Sequence, residues 1–388
     1  MKKIKIFLAL VGATLLSANA LAVDNIPPGV NGIPGQTINE GGKFATIKLD
    51  NYVSDDMDKP EQIKWSVSGN KNLKVKISAD RIATIETPNQ YWNGEENITF
   101  AATDSKGAVG YETVTFTVKH DFDENGFCRC GDYQPAEKND DGYYKIANAG
   151  NLYWFADFVN QGGDNAHANA ILTNDIVVNN ELLASLESDN LREWSPIGYW
   201  KTDVDRGVKF SGTFNGNGHT ISGLYFNNVK QRYVGLFGLI SGATIKNVGI
   251  IDSYFNGYAN VSGVCGWAEC LNATEGGTII STIQNCYNIS TIKGGYIDTD
   301  GTPAGGYSLG GICGYNKSKC IIENCYNVGR VNGYDGYNDI CGTNYGTITL
   351  CYYLADTEDG KGGMTAEQFA NGEVLDKLSW GNNGSVWG

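Results

Sequence analysis

Positive charge is scarce in this chain, and the shortage limits the partners that it can bind. The sequence holds 29 Lys and Arg residues against 43 Asp and Glu residues, which gives a formal net charge of −14. A surface with this excess of negative charge repels phosphate backbones and anionic lipid head groups. We therefore expect neither nucleic acid nor an anionic membrane surface as a partner.

Long apolar runs are missing beyond the N-terminus. Three lysines precede the apolar run of residues 6–16, and the small-x-small sequence of residues 20–22 follows it. This order is typical of a secretory signal peptide, and the run is shorter than the roughly 20 residues that span a bilayer. We predict a signal peptide at residues 1–22 and no transmembrane segment after its removal, which lowers the net charge to −17. The mature chain is expected to be secreted or bound to a bacterial cell surface.

Histidines and paired carboxylates, the usual residues of hydrolytic sites, are also sparse. The three histidines are scattered, and the sequence shows no Ser-His-Asp arrangement, phosphate loop or dinucleotide fingerprint. Between residues 208 and 351 the tight acid pair is Asp298 and Asp300, in a turn with Gly301. Sugar hydrolysis needs two carboxylates across a cleft. We expect binding rather than catalysis, and no required cofactor.

Glycine and tyrosine are abundant, with 51 Gly and 22 Tyr against 3 Met and 8 Pro. From residue 23 to 120 the chain alternates polar and apolar residues in short runs between turns, for example at 45–49, 63–67, 98–102 and 114–118. Six or seven such runs without helical periodicity predict a β-sandwich of immunoglobulin-like architecture. This region contains no cysteine, so it cannot carry the disulfide of antibody domains.

Several segments of this first domain resemble the cadherin-like modules of bacterial surface proteins. They are residues 38–42, 50–55, 65–70, 92–94 and 102–107. Such modules often bind calcium at their ends, and Glu40, Asp55, Asp56, Asp58 and Asp104 offer oxygen ligands of the right kind. The alternative is that these acids are solvated loop residues.

The junction at residues 121–141 contains a candidate calcium loop. Asp121, Asp123, Asn125 and Gly126 follow the order D-x-D-x-N-G, and Asp132 stands at the twelfth position. An EF-hand loop carries ligands at these positions. The chain departs from that pattern by Asp at position twelve, by missing flanking helices and by the cysteines at 128 and 130. A turn-rich acidic linker without metal is the alternative.

The second half of the chain repeats two short templates. The first is Gly-x-Cys-Gly or a close variant, at residues 235–238, 263–266, 311–314 and 339–342. The second follows each time, at residues 243–248, 282–288, 321–327 and 347–352. Repeats of this length cannot bury their apolar faces alone, so stacking of successive units is expected. We predict a right-handed parallel β-helix at residues 208–354, with an insertion between the second and third units.

Stacking places equivalent residues of successive coils in ladders. Cys265, Cys313 and Cys341 are expected in one ladder, and the cysteines at 286, 325 and 351 in another. Cysteine is small and readily buried, which favours stacked thiols. Adjacent coils also lie within disulfide range, so occasional cross-links remain open.

The repeats look like the GLUG motif of bacterial adhesin-like and peptidase-associated surface proteins. The resemblance lies in residues 310–316 and 322–329, and in the opening segment at residues 210–224. It implies export and association with the cell surface, and it implies no particular ligand or reaction.

Short helices are expected to cap the open ends of the solenoid. An N-terminal cap at residues 142–207 includes an amphipathic helix at 148–161, and a C-terminal helix and tail occupy residues 355–388. Leu375 is among the apolar residues expected to face the last coil. The last residues, 386–388, carry no recognisable sorting or anchoring signal.

Aromatic side chains at repeated positions are the candidate binding residues, and they are Trp267, Tyr287, Tyr315, Tyr326 and Tyr352. Aromatic faces suit sugar rings and protein partners, and the alternative is that stacked tyrosines only stabilise the solenoid. We predict an adhesin-like protein that binds an extracellular glycan or protein ligand. The alternatives are a β-helix polysaccharide hydrolase or lyase, and a purely structural surface spacer.

Overall fold

The structure is a computed structural model that describes residues 25–201, 206–272, 277–334, 337–356 and 361–380. The predicted signal peptide at 1–22 and the C-terminal residues 386–388 lie outside the described residues. Contacts divide the chain into two units, residues 1–121 and residues 122–388.

The first unit is a β-sandwich of short strands. Its strands are β1 (Gly29–Val30), β2 (Gln36–Asn39), β3 (Ile47–Lys48), β4 (Val53–Ser54), β5 (Lys64–Ser68), β6 (Lys74–Ile77), β7 (Ile82–Glu86), β8 (Gly94–Thr103) and β9 (Val109–Lys119). One sheet has the order β2-β9-β8-β5, a second has the order β3-β7-β6, and β1 pairs with β4. β2 runs parallel to β9, whereas the other pairs are antiparallel. The predicted immunoglobulin-like sandwich is confirmed.

Alternation along the strands decides which side chains enter the core of this unit. In β8 the buried residues Ile98, Phe100 and Ala102 alternate with more exposed neighbours, as a half-buried strand requires. Phe116 of β9 packs edge-on against Phe44, with ring centroids 5.4 Å apart. An apolar and aromatic core therefore holds the sandwich without a disulfide.

Two acids of the first unit accept hydrogen bonds from backbone amides within its loops. Asp55 Oδ1 accepts hydrogen bonds from the backbone amides of Met57 and Asp58 at 3.0 and 2.7 Å. Asp104 Oδ1 accepts in the same way from Lys106 and Ala108, at 2.8 and 2.9 Å. These carboxylates thus have local structural partners, and calcium binding by them stays a prediction.

The second unit is a parallel β-helix with short helices at both ends. Its strands are β10 (Tyr144–Ile146), β11 (Ala170–Leu172), β12 (Ile176–Val177), β13 (Tyr199–Lys201), β14 (Arg206–Val208), β15 (Thr213–Asn215), β16 (Thr220–Ser222), β17 (Tyr225–Val234), β18 (Phe237–Ser241), β19 (Thr244–Lys246), β20 (Gly249–Ser262), β21 (Cys265–Glu269), β22 (Leu271–Asn272), β23 (Thr278–Ile279), β24 (Thr282–Gln284), β25 (Tyr287–Gly294), β26 (Tyr296–Ile297), β27 (Pro303–Ala304), β28 (Tyr307–Gly310), β29 (Cys313–Asn316), β30 (Ile321–Glu323), β31 (Tyr326–Asn327), β32 (Arg330–Asn332), β33 (Tyr337–Asn338), β34 (Cys341–Asn344), β35 (Thr347–Thr349), β36 (Tyr352–Leu354) and β37 (Gly363–Met364). Its α-helices in the described residues are α1 (Ala149–Asn160), α2 (Ala366–Ala370) and α3 (Glu373–Trp380).

Three parallel sheets run along the solenoid. The described strands order as β10-β11-β15-β19-β24-β30-β35 in the first sheet and as β18-β21-β29-β34 in the third. The second sheet follows the path β12-β16-β20-β25-β31-β36-β37, with β17, β28, β32 and β33 attached beside it. The sheet strands pair in parallel from coil to coil, whereas β22–β23 and β26–β27 form antiparallel hairpins in the predicted insertion.

The predicted ladders are in register. Cys265 pairs with Cys313, and Cys313 pairs with Cys341. In the first sheet an apolar ladder runs through Phe214, Ile245, Ile283, Ile322 and Ile348. Stacking of these side chains fills the narrow interior that no single coil could bury.

An asparagine ladder closes the turn after the first sheet. Asn285 Nδ2 donates to Asn247 Oδ1 at 2.9 Å, and Asn324 Nδ2 donates to Asn285 Oδ1 at 2.6 Å. All three have left-handed backbones, with φ of 57°, 53° and 55° at residues 247, 285 and 324. Asparagine tolerates this conformation better than other residues with a Cβ. The next coil places Leu350 at this turn position, with φ of 48° and its side chain exposed.

Replacing Leu350 by asparagine is expected to stabilise the solenoid. Asparagine adopts positive φ with less strain than leucine, and its amide can donate a hydrogen bond to Asn324. The two effects together contribute about 1 to 2 kcal/mol of stability. Leu350→Gly is the matched control, because glycine relieves the strain without adding an amide. Thermal unfolding of the purified chain should give the order Asn above Gly above wild type. An asparagine variant no more stable than the glycine variant would contradict the ladder extension.

Helices cover both ends of the β-helix. Asn148 caps α1 by accepting a hydrogen bond from the Asn151 amide, and the helix buries Leu152, Phe155 and Val159. Thr365 and Gln368 form a capping box at α2, and α3 buries Val374 and Leu378. Two details differ from the sequence expectation. Leu375 is exposed on α3, and the range 142–207 contains strands of the first two sheets as well as the cap helix.

Candidate functional site

The five predicted aromatic residues belong to two different ladders. Tyr287, Tyr326 and Tyr352 align in the second sheet, and the first two rings stack with centroids 4.9 Å apart and 1° between their planes. Met364, Val374 and Leu378 of the C-terminal segment pack against the last two tyrosines. Burial raises the pKa of Tyr326, in line with this cover. The C-terminal segment therefore packs against the tyrosine ladder at Tyr326 and Tyr352.

The second ladder lies on the third sheet and is open to solvent at one end. Trp267 and Tyr315 stack with ring centroids 4.0 Å apart and 8° between their planes. Tyr233 meets Trp267 edge-on at 5.8 Å, and Tyr345 tilts against Tyr315 at 5.6 Å. Tyr345 is 65% exposed. We call Tyr233, Trp267, Tyr315 and Tyr345 the aromatic row.

A charged cluster borders the aromatic row. Glu269 contacts Lys209 at 2.6 Å and Lys317 at 3.3 Å, and the indole nitrogen of Trp267 donates to it at 3.4 Å. Burial alone would raise the pKa of Glu269, but the hydrogen bond and charge of Lys209, followed by Lys317 and Trp267, hold that pKa below its usual value. The carboxylate stays ionised and joins three coils at the edge of the row.

A cleft of about 580 Å³ lies beside the row and shares Tyr233 with it. We call it the aromatic cleft, and its aromatic lining is Tyr199, Trp200, Phe226 and Tyr233. Its polar lining comprises Asp157, Asn160, Gln161, Ser195, Asn228 and Gln231. The end of α1, strand β13 and strand β17 supply most of these residues. The cleft thus combines flat apolar rings with amide, hydroxyl and carboxyl groups.

Two side-chain amides hold the cleft in shape. Asn160 Nδ2 donates to the Pro196 carbonyl at 3.0 Å, and Asn160 Oδ1 accepts from the Gly198 amide at 2.8 Å. Gln231 Nε2 donates to the Trp200 carbonyl at 3.2 Å and so ties β13 to β17. Gly198 has φ of +73°, and a Cβ there would lie 2.4 Å from the Leu239 carbonyl oxygen. Only glycine fits at this corner, which directs Tyr199 and Trp200 to the cleft.

Asp157 is the acidic group of the cleft. Its side chain is exposed at the rim, yet the surrounding protein displaces enough water to raise the pKa of its carboxyl above the usual 3.8.

Asp157→Asn is expected to change the pH dependence of stability. The pKa of Asp157 is higher in the folded state than in the unfolded state. Ionisation of this group therefore reduces the free energy of unfolding as the pH rises above 3.8. The variant lacks that loss, and its stability relative to wild type should rise across the same interval. Urea unfolding between pH 3 and 7 measures the difference, with Asp164→Asn at an exposed neighbouring turn as the control. A difference independent of pH would contradict the raised pKa.

The residues of the candidate calcium loop are engaged in turns. Asp123 Oδ1 accepts hydrogen bonds from the amides of Asn125 and Phe127, both at 2.9 Å. Asp123 and Asn125 line a cavity of about 440 Å³ that Arg192 also lines. Asp132 lies further along the same unit, and Asp121 belongs to the first unit. The positive charge of Arg192 at that cavity disfavours a calcium ion there. Calcium binding at this loop stays a prediction.

Comparison with known proteins supports the N-terminal module. Residues 25–117 match the family model of a bacterial Ig domain. A curated protein of Evansella cellulosilytica, provisionally named a Gly-rich membrane protein, is 36% identical over 62 residues, which cover 16% of this chain and 6% of that protein. A solved structure from Bacteroides ovatus, provisionally named an immunoglobulin A1 protease, gives a TM-score of 0.40 at 16% identity over 66% of this chain and 92% of that one.

These findings define an N-terminal immunoglobulin-like module followed by a parallel β-helix, an organisation that fits a surface or extracellular protein. No helix in the described part of the chain is long and apolar enough to span a membrane.

Proposed function

We propose that this chain is an adhesin-like extracellular protein that binds a neutral glycan in the aromatic cleft without cleaving it. The observation that carries the proposal is the composition of the cleft, in which four aromatic side chains stand beside amide, hydroxyl and carboxyl groups. The C–H faces of sugar rings stack on aromatic rings, and their hydroxyls exchange hydrogen bonds with amides and carboxylates. A cleft of about 580 Å³ has the size of a small-ligand site and can hold a short stretch of sugar units.

The extent of the site favours a chain-like ligand over a single sugar. Tyr233 belongs to both the cleft and the aromatic row, so the two surfaces are continuous. A glycan seated in the cleft could continue along Trp267 and Tyr315 towards the exposed Tyr345. The negative net charge, −14 for the full sequence, favours a neutral chain over an acidic one.

Binding is favoured over hydrolysis by the acids of the cleft. Its described lining contributes one carboxyl, that of Asp157. A glycosidase uses two carboxyl groups about 5 to 10 Å apart across the scissile bond. The polysaccharide hydrolase or lyase remains the alternative function, and it predicts product formation from the bound polymer.

The sequence supports the extracellular setting. The predicted signal peptide, the cadherin-like segments and the GLUG-like repeats are all typical of exported bacterial surface proteins. In this proposal the first unit acts as a spacer and the β-helix presents the site. A purely structural spacer is the third alternative, and it predicts no ligand.

A glycan array with the purified chain tests the proposal. We expect retention of one or more neutral polysaccharides, with no shortening of the bound polymer after prolonged incubation. Release of oligosaccharides from the polymer would favour the enzyme. Absence of binding to every glycan, together with binding to a matrix protein, would favour a protein ligand and overturn the glycan assignment.

A further inference from the structure

One cysteine pair of the second unit differs from the cysteine ladders. Cys270 Sγ and Cys320 Sγ lie 3.1 Å apart, although the residues are 50 positions apart in the sequence. Cys270 directly follows β21, and Cys320 directly precedes β30 in the next coil. Cys270 is partly exposed, whereas Cys320 is buried. The distance between the two sulfur atoms is therefore shorter than the sum of their van der Waals radii, and the thiols face each other between coils.

The ladder thiols contact carbonyl oxygens at shorter distances than the 3.6 Å between Cys270 Sγ and the Ser318 carbonyl oxygen. Cys265, Cys313 and Cys341 each place Sγ 3.3 to 3.4 Å from the carbonyl oxygen two residues later. The thiols of the second ladder, at residues 286, 325 and 351, each contact the carbonyl oxygen two residues earlier at 3.2 Å. All six side chains are buried. Each of these thiols is buried and has a carbonyl acceptor within 3.4 Å, and neighbouring ladder thiols also contact one another. The proposed pair differs from them by the partial exposure of Cys270.

We propose that Cys270 and Cys320 form a disulfide in the exported protein. Disulfides persist in oxidising extracellular compartments, and the two sulfur atoms of this pair already lie 3.1 Å apart. The inference goes beyond glycan binding and does not depend on it.

The exposure of the two residues gives the order of the reaction. Cys270 is the more exposed thiol and reacts first with an oxidant from solvent, whereas burial and the contact with Cys270 raise the pKa of Cys320. Its thiolate attacks the disulfide of oxidised glutathione, forming a mixed disulfide and releasing one glutathione thiolate. The sulfur of Cys320 loses its proton and attacks Sγ of Cys270, which releases the second glutathione. Two protein thiols are oxidised, one glutathione disulfide is reduced, and the two released thiolates take up the two protons.

The bond would fix the coils that carry the aromatic row. Cys270 is next to Glu269 in the sequence. Cys320 lies three residues after Lys317, which forms an ion pair with Glu269. Trp267 and Tyr315 stack across the same two coils. A covalent link here limits the separation of β21 from β29, and so keeps the row aligned.

Peptide mapping of the wild-type chain tests the proposal. The purified chain is equilibrated with oxidised and reduced glutathione and then denatured in the presence of iodoacetamide, which alkylates free thiols. It is digested without reduction. We expect one linked peptide pair containing Cys270 and Cys320, whereas the six ladder cysteines are recovered alkylated. Recovery of alkylated Cys270 and Cys320 under oxidising conditions would overturn the proposal, as would a link from either residue to another cysteine.

A stability measurement adds an independent readout. Reduction with dithiothreitol should lower the unfolding midpoint of the wild-type solenoid by about 5 to 10 °C. The same treatment should leave a Cys270→Ser, Cys320→Ser double variant unchanged, since it lacks the bond. Equal shifts in the two proteins would assign the effect to other cysteines and contradict the proposal.

Discussion

Replacement of Trp200 by alanine is expected to weaken glycan binding about thirtyfold, a loss of about 2 kcal/mol. Trp200 has the largest aromatic side chain among the residues that line the cleft, and its removal leaves a sugar ring without its stacking partner. Tyr233→Ala should have a comparable effect, because Tyr233 also connects the cleft to the aromatic row. Titration calorimetry with a polysaccharide found on the array measures both losses.

Two controls separate binding from folding in this experiment. Tyr111→Ala removes a tyrosine that is 71% exposed on β9 of the first unit, and it should leave the affinity unchanged. Trp200→Phe keeps an aromatic face and should retain most of the affinity. Unchanged binding by Trp200→Ala and Tyr233→Ala, with folding intact by circular dichroism, would remove the cleft from the proposed function.

Asn285→Ala is expected to destabilise the solenoid by about 3 kcal/mol, and to lower its midpoint of thermal unfolding by about 6 to 12 °C. The substitution removes the bond that Asn285 donates to Asn247 and the bond that it accepts from Asn324. It also places alanine at φ of 53°, a conformation that costs a residue with a Cβ about 1 to 2 kcal/mol.

The matched control for this prediction is Asn285→Gly. Glycine adopts positive φ without strain, so this variant loses only the amide bonds and should fall between wild type and Asn285→Ala. Calorimetric unfolding of the three proteins distinguishes the two contributions. A glycine variant as stable as wild type would show that the ladder bonds contribute nothing to stability.

The repeats made the β-helix predictable from the sequence. The Gly-x-Cys-Gly units around Cys265, Cys313 and Cys341 align in the structure as their spacing indicates, and the longer interval contains the two hairpins of the insertion. The signal is strong because each unit must stack on the next in one register to bury its interior. The sandwich was predictable for a related reason, since alternation along β8 and β9 reports one buried face.

The aromatic cleft was missed because its residues do not repeat. Asp157, Tyr199 and Trp200 come from the cap region at 142–207, where no template marks the strands. The bonds of Asn160 and Gln231 that help to bring them to β17 also follow no repeat. Tyr233 stands two residues before the Gly-Leu-Phe-Gly unit, where the next two units have Val261 and Leu309.

Binding by the predicted tyrosines stays a prediction, and their repeated position leaves out one feature of their surroundings. Tyr287, Tyr326 and Tyr352 share one template position, yet the C-terminal segment covers the last two. Their position in the repeat shows that they stack, and it contains no information on what packs over them. The pair Trp267 and Tyr315 was identified by the same argument and lies next to the cleft.

Hydroxyl-radical footprinting of the purified chain, with and without saturating glycan, tests the proposed site most directly. Aromatic side chains that a ligand covers are oxidised more slowly than exposed ones. We predict strong protection of Trp200, Tyr199 and Tyr233, weaker protection of Tyr345, and an unchanged rate at Tyr111. Glycan binding that leaves the oxidation of Trp200 and Tyr233 unchanged would contradict the account and place the ligand elsewhere on the chain.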